Sequence, residues 1–418
     1  MTPVAVVFVV AFNLGLIFLL MAAPLGVRTI RLSRLIPADR AKLWNALWPL
    51  GTDAGWAGEY TKAVAIGESR ADVELGWEGR DGRPIRRRLK FDDVVAGERF
   101  SLSIVDDSSL EAAFWAHYRE TVRIEDVGGD VRVTVTRTDR YRGLAFLIFR
   151  FFALRRQMSK LRIWAATGKY RAGGLFEHPL TQVGLAVLSA FILWPFFGLT
   201  PGGLALASVL TAVVALHELG HMAAFRLMGH RKVRMIFVPL LGGIAIGGRP
   251  YDSRFEVAFV ALMGAGFSAF LVPVAIASSH YAAGEGWRAA AGLLATLAGC
   301  AALFNLGNLV PVWKFDGGQV LRQICPNPGV LALVSFLLLS AFLGLGHVAG
   351  FPQEFLVAAG AVFAILSLIT AGSGVKPRYD LKPIGLFDRL AVGAALLAVF
   401  AIHGFGVLWA AERLALIA

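Results

Sequence analysis

Long apolar runs separated by short polar loops make up most of the chain, and one mixed, charge-rich stretch near the N-terminus interrupts that pattern. Runs of about twenty apolar residues are long enough for ~30 Å of hydrocarbon at 1.5 Å rise per residue. Eight such spans are predicted, roughly 3–24, 179–199, 202–225, 255–278, 289–312, 329–347, 352–372 and 387–411. Helix breaks are expected around Pro195, Pro201 and Pro311, because proline lacks an amide donor and clashes with the preceding turn. The first run has no basic residue before it and exceeds the length of a signal-peptide core, so it is expected to remain as an anchor.

Residues 25–178 follow a different rhythm. "RTIRLSRLI" alternates as a strand does, and "PADRAKLWNALW" begins with proline at a helical N-terminus and sets Leu43, Leu47 and Trp48 on one face. Alternation returns in "EYTKAVAI", "RADVELGWEG", "RRRLKFDDVV", "RFSLSIVD", "HYRETVRIED" and "DVRVTVTRTDRYR", several of them joined by Gly- or Asp-containing turns. An amphipathic helix, "GLAFLIFRFFALRRQMSKLRIWAATG", closes the segment. This order resembles the helix-grip fold of the START-like polyketide-cyclase and lipid-transfer superfamily. The resemblance implies a curved antiparallel sheet around a long C-terminal helix and an apolar cavity, with a lipid or other apolar molecule as the expected ligand. The aromatic residues of that helix, Phe146, Phe149, Phe151 and Phe152, could line such a cavity, lie on a membrane surface or pack the sheet. The fold class expected for the whole is therefore a polytopic α-helical membrane protein with a soluble α+β helix-grip domain between its first two spans. Its divisions are 1–24 (anchor), 25–178 (helix-grip), 179–325 (membrane core) and 326–418 (three further helices).

Composition agrees with a membrane protein: 56% of the 418 residues are hydrophobic, 17% are charged and the mean hydropathy is +0.63. About two-thirds of all charged residues fall in the insert, which is what a water-soluble domain requires. The net charge of +12 is spread over the insert and one set of loops instead of one motif, so topology and anionic lipid account for it and no nucleic-acid partner is expected. Arg28, Arg31 and Arg34 follow the first span. Arg231, Lys232, Arg234, Arg249, Arg254, Lys314, Arg322, Lys376, Arg378 and Lys382 fall in loops on the same predicted side, against Arg288 on the other. The positive-inside rule then puts both termini outside and the insert in the cytoplasm, in a bacterial inner membrane. Cys300 and Cys325 form neither a disulfide framework nor a thiolate metal motif.

Within an apolar helix, "TAVVALHELGHMAAF" sets His217 and His221 four residues apart, so both imidazoles leave one face and can share a cation, with Glu218 beside the first. Glu218 lies roughly 12 Å inside the expected helix end, where an unpaired carboxylate costs at least ~2.5 kcal/mol. A hydrolytic zinc site takes three protein ligands and leaves the fourth position open. His230 lies in the basic loop at the end of the same helix, nine residues from His221, and cannot easily fold back, His280 and His347 fall at outer ends, and His403 is mid-span, where a packed polar role is the commoner one. Asp316 stands just beyond Pro311 in "NLVPVWKFDGGQVLR", at the depth of the histidine pair, with Gly317 and Gly318 allowing a tight turn.

These two motifs resemble those of the site-2 protease family of intramembrane zinc metalloproteases, in which H-E-x-x-H on one span is combined with N-x-x-P-x-x-x-x-D-G on a later one. They read here as "HELGH" and "NLVPVWKFDG". "RMIFVPLLGGIAIGG" looks like the family's membrane-embedded hairpin, and "GAGFS" like its G-x-x-x-(N/S/G) element, with Ala265 where many members carry proline. The resemblance implies one Zn²⁺ held by His217, His221 and Asp316, Glu218 as general base, and Asn308 orienting the scissile peptide or its oxyanion. It further implies Gly242, Gly243 and Asn308 at a substrate-binding strand edge, and a membrane protein as substrate in regulated intramembrane proteolysis. Neither a PDZ-like nor a CBS-like module is evident. Two other classes stay open: a metal-binding membrane protein without proteolysis, and a lipid-sensing protein whose functional module is the insert.

Overall fold

The structure is a computed structural model that describes residues 11–12, 15–16, 18–170, 178–238, 242–312, 314–370 and 377–415. It divides into two compact units, residues 1–172 with 372–380 and residues 173–371 with 381–418.

The first unit is built on alternation. Strand β1 (Pro24–Ile36) is followed by helix α1 (Arg40–Leu47) and then by β2 (Tyr60–Ile66), β3 (Arg70–Glu78), β4 (Pro84–Val95), β5 (Arg99–Asp107), β6 (Arg119–Val127) and β7 (Asp130–Arg142). They form one antiparallel sheet in the order β1-β7-β6-β5-β4-β3-β2. Every second side chain, among them Ala71, Val73 and Leu75 of β3, Phe100, Leu102 and Ile104 of β5 and Val131, Val133 and Val135 of β7, enters one core. On the outer face oppositely charged residues pair across strands, Arg88 with Asp72 at 2.8 Å and Arg86 with Glu74 at 3.1 Å. Helix α2 (Leu144–Thr167) buries Leu154, Met158, Leu161, Trp164 and Ala165, a single helical stripe, against the same core. The expected curved-sheet-and-helix order is therefore present, including α1, whose Leu43 is buried and whose Leu47 and Trp48 pack beside it.

The second unit is helical: α3 (Pro179–Leu193), α4 (Pro201–Leu227), the hairpin β8 (Arg234–Val238) and β9 (Gly242–Ile246), α5 (Arg254–Gly284), α6 (Arg288–Asn308), α7 (Asp316–Ile324), α8 (Pro328–Val348), α9 (Gln353–Thr370) and α10 (Leu386–Ala415). Among the described residues six helices are long and apolar enough to cross a membrane, where the sequence predicts eight spans. Half of the predicted span 3–24 lies outside the described residues. The span 352–372 corresponds to α9, whose qualifying apolar stretch is the shorter Gln353–Ser367. Prolines act where expected: Pro195 sits in a 3₁₀ turn after α3, Pro201 opens α4 beneath the Thr200 cap, and α6 ends three residues before Pro311. Helix α5 runs unbroken through Ala265. Helix α10 packs on α5, α6 and α7, so the helical unit continues across the division expected at 325/326.

Candidate metal centre

His217 and His221 project from α4 toward α5, and two glycines make room for them. At Gly220 a Cβ would collide with the Met263 carbonyl and Phe267, so α4 and α5 approach closely there. At Gly264, in "GAGFS", a Cβ would fall 2.5 Å from His221 Nε2 and 2.6 Å from His217 Cε1. Asp316 is the first residue of α7, which folds back along the end of α6 because Gly317 lies directly against the Leu309 backbone, where any side chain would collide.

Three ligand-type atoms converge. His217 Nε2 and His221 Nε2 are 3.1 Å apart, and Asp316 Oδ2 lies 3.1 Å from the first and 3.5 Å from the second. Four nitrogen or oxygen ligands around zinc at 2.0–2.1 Å leave edges of about 3.3 Å in a tetrahedron, so the triad has the dimensions of one tetrahedral face. The histidine tautomers follow from their other nitrogens. Asn305 Nδ2 donates to the Ala301 carbonyl at 2.7 Å, which leaves its Oδ1 to accept from His217 Nδ1–H at 2.7 Å. His221 Nδ1–H donates to the Val260 carbonyl, also at 2.7 Å. Both Nε2 atoms therefore present lone pairs to one another and to a buried carboxylate oxygen that has no hydrogen-bond donor. A proton relieves one of these repulsions; a cation at the centre relieves all three. His217 and Asp316 are buried and His221 nearly so, and Phe304 closes one side edge-on to His217.

Glu218, one residue on from the first histidine, turns toward the hairpin. Its Oε2 accepts the Ala245 amide of β9 at 2.9 Å, and its side chain occupies the space a Cβ at Gly243 would need. On the other strand, the Phe237 amide donates to Gln182 Oε1 of α3 at 2.5 Å. The hairpin is thus gripped between α3 and α4, with one amide of each outer edge already engaged. Gly242 has a positive φ of 102° and begins β9 opposite Val238. An apolar cavity of about 250 Å³ lies between α4, α5 and α6, lined by Val213, Leu216, Ser268, Val272, Ala298 and Ala301, next in sequence to His217 and one helical turn before Asn305.

The structure separates the predicted residues into two sets. His217, His221 and Asp316 meet, and Glu218 stands between them and β9. Asn308 does not reach the triad: its amide donates back to the Phe304 carbonyl of its own helix at 3.1 Å. The asparagine that touches a triad member is Asn305, one turn earlier, which sequence reasoning did not single out; a polar residue three positions before Asn308 on an apolar helix was the available signal. Three of the four rejected histidines have other partners. His230 is sealed with Glu256 at 2.6 Å, His280 accepts from Trp409, and His403, fully buried, donates to the Ala265 carbonyl at 3.0 Å.

The sheet unit holds a cavity of about 240 Å³ with two kinds of wall. Trp56, Leu89, Leu102, Ile104 and Trp115 form an apolar side. Opposite stand Tyr118, Glu120, Arg137 and Gln157 in one network: Tyr118 and Arg137 both donate to Glu120 Oε2, at 2.9 and 2.5 Å, and Arg137 donates to Gln157 at 2.9 Å. Glu59 faces the same space, and its enclosure raises its carboxyl pKa above 4.5 despite the opposing pull of Arg137. The cavity is therefore amphipathic where an apolar one was expected. The aromatic residues Phe146, Phe149, Phe151 and Phe152 do not line it; α2 contributes Arg150 and Gln157 instead.

No protein-family model matches the chain, and no curated protein matches it in sequence. Solved structures do. The solution structure of the Aha1 dimer from Colwellia psychrerythraea is 15% identical, with 34% of this chain and 98% of that one covered at a TM-score of 0.28. Ara h 8.0201 is 17% identical over 34% of this chain and 97% of its own, at 0.26. DynU16, from the dynemicin biosynthetic locus, is 17% identical over 34% and 48%, at 0.25.

Proposed function

We propose that the helical unit is an intramembrane zinc metalloprotease that hydrolyses peptide bonds of membrane protein substrates. The observation that carries this reading is the convergence of the His217, His221 and Asp316 lone pairs at zinc-ligand spacing, with the imidazole protons committed elsewhere. The resemblance of "HELGH" and "NLVPVWKFDG" to the site-2 protease motifs supports the same reading. Those three residues would hold the ion, and the chemistry zinc supplies when bound is Lewis acidity, which makes water a competent nucleophile near neutral pH.

The chain's own residues do the rest. Glu218 accepts the proton of the attacking water and returns it to the leaving amine; the Ala245 amide holds the carboxylate in position for both transfers. A helical substrate hides its carbonyls in its own hydrogen bonds, so it must open before attack. The β9 edge, where Gly242 and Gly243 carry no side chain, is the surface along which an extended segment would lie. The 250 Å³ apolar cavity beside His217 suits one substrate side chain. In the sheet unit, the amphipathic cavity suits a ligand with an apolar body and a polar end, whose binding would gate cleavage.

The decisive test separates ligand from base. Glu218→Gln is expected to retain zinc and lose cleavage of a model transmembrane substrate, whereas His221→Ala and Asp316→Ala lose both, measured by elemental analysis alongside the cleavage assay. Full zinc occupancy in Asp316→Ala would remove Asp316 from the ligand set, and full cleavage by Glu218→Gln would end the protease reading.

A further inference from the structure

Helix α2 has two apolar faces, and the sheet covers only one. On the other, Ala145, Ile148, Phe149 and Phe152 recur at intervals of three, one and three residues, and Phe149 and Phe152 are 64% and 56% exposed. A soluble unit rarely leaves such a stripe in water. Two observations indicate what covers it. The stripe starts where the N-terminal apolar segment ends: the Gly143 amide donates to the Ala23 carbonyl at 2.9 Å, Arg142 Nε donates to the Ala22 carbonyl at 3.1 Å, and a Cβ on Gly143 would lie 2.5 Å from the Leu20 carbonyl. Phe18, Leu19 and Met21, at that junction, are themselves exposed. Further along α2 the stripe continues through the exposed Ile163, Arg155 and Arg162 are exposed on its flank, and no acidic residue lies between 144 and 168.

We propose that the first half of α2 lies in the interfacial layer of an anionic lipid bilayer, with Phe149 and Phe152 inserted among the upper acyl chains and the basic second half at the headgroups. The apolar residues at 18–21 set the depth at one end, and the arginines favour the negative surface at the other. This does not depend on the helical unit being a protease. It assigns the exposed aromatic residues a role the cavity leaves to Arg150 and Gln157.

The test uses the full chain with Cys300 and Cys325 replaced by serine and single cysteines at Phe149, Phe152, Arg155 or Glu125, each nitroxide-labelled, in phosphatidylethanolamine vesicles with about one-quarter phosphatidylglycerol. These positions are exposed, so labels leave the sheet's core intact. Collision with oxygen against a water-soluble nickel chelate should put the labels at 149 and 152 about 5–10 Å below the phosphates, that at 155 near them, and that at 125 on the sheet in water. Labels at 149 and 152 as open to nickel as the one at 125 would overturn the proposal. So would labels shielded from both reagents, which would mean that protein, from this chain or a second copy, covers the face.

Discussion

At the scale of single residues, the cluster's character comes from what stands behind His217 and His221. Asn305 and the Val260 carbonyl hold the imidazole rings by their Nδ1 protons, and such outer hydrogen bonds are worth 10–100-fold in metal affinity. Asn305→Leu should therefore weaken zinc binding by roughly that factor in a competition titration with a chelating dye, while Asn308→Leu leaves zinc affinity unchanged. Equal affinity for Asn305→Leu and the parent would mean that His217 is oriented by its helix alone. Glu59 poses a different question. Because folding raises its pKa, folding favours the protonated carboxyl, and the stability this lends is complete below 4.5 and drains away as pH rises through the folded value. Glu59→Gln should make the amides of β2 and β3 better protected against hydrogen exchange than the parent's at pH 8, with the gap closing below pH 4.5. A constant gap across that range would assign the effect to something other than ionisation.

At the scale of elements, the hairpin and its neighbours fix where the Glu218 carboxylate stands. Gly243 leaves only enough room for the Glu218 side chain. Gly243→Val should expel that carboxylate from its seat beside β9 while leaving His217, His221 and Asp316 untouched, so zinc content should stay near that of the parent while cleavage of the model substrate falls by two or more orders of magnitude, the typical worth of a general base. Unchanged cleavage would show that Glu218 works from another position. The opposite result, loss of zinc, would tie the hairpin to the fold of the ligand helices. The same reasoning explains why α4 can hold two histidines and a glutamate at a depth where each alone is costly: the carbonyls, amides and lone-pair partners they need come from α5, α6, α7 and β9.

For the whole molecule, one short segment departs from its sequence neighbours. Residues 377–380, between two helices of the helical unit, belong with the sheet unit: Arg378 donates to Asp106 at 2.6 Å and to the Asp107 carbonyl at 2.9 Å, its amide to the Ser109 carbonyl at 3.0 Å, and Arg80 reaches the Tyr379 carbonyl. Asp107 in turn holds Arg87, a cavity-lining residue, at 2.7 Å. Arg378→Glu should raise the exchange rate of the 378–380 amides at least tenfold, about 1.4 kcal/mol of lost protection, and leave the β5–β6 ladder protected. If those amides are unaffected, the backbone pairing of Leu110 with Pro377 suffices to hold the segment.

Much of this was written in local pattern. Period-two alternation located the seven strands and helical spacing the stripe of α2, since one buried face per element leaves that signature whatever the partner is. Apolar length located the helices of the second unit, and spacing alone paired His217 with His221, because four residues on a helix return to one face. Asp316 was legible from Pro311 and the glycines that follow it. What spacing cannot encode is which groups from distant segments come to share one place. Asn305 instead of Asn308 behind His217, Ala245 and Gly243 around Glu218, Gly264 beneath the imidazoles, and the charged wall of the sheet's cavity all depend on the angle at which one element crosses another. That angle is decided by close approach at glycines and by which buried polar atom lacks a partner, and both exist only once the chain is packed.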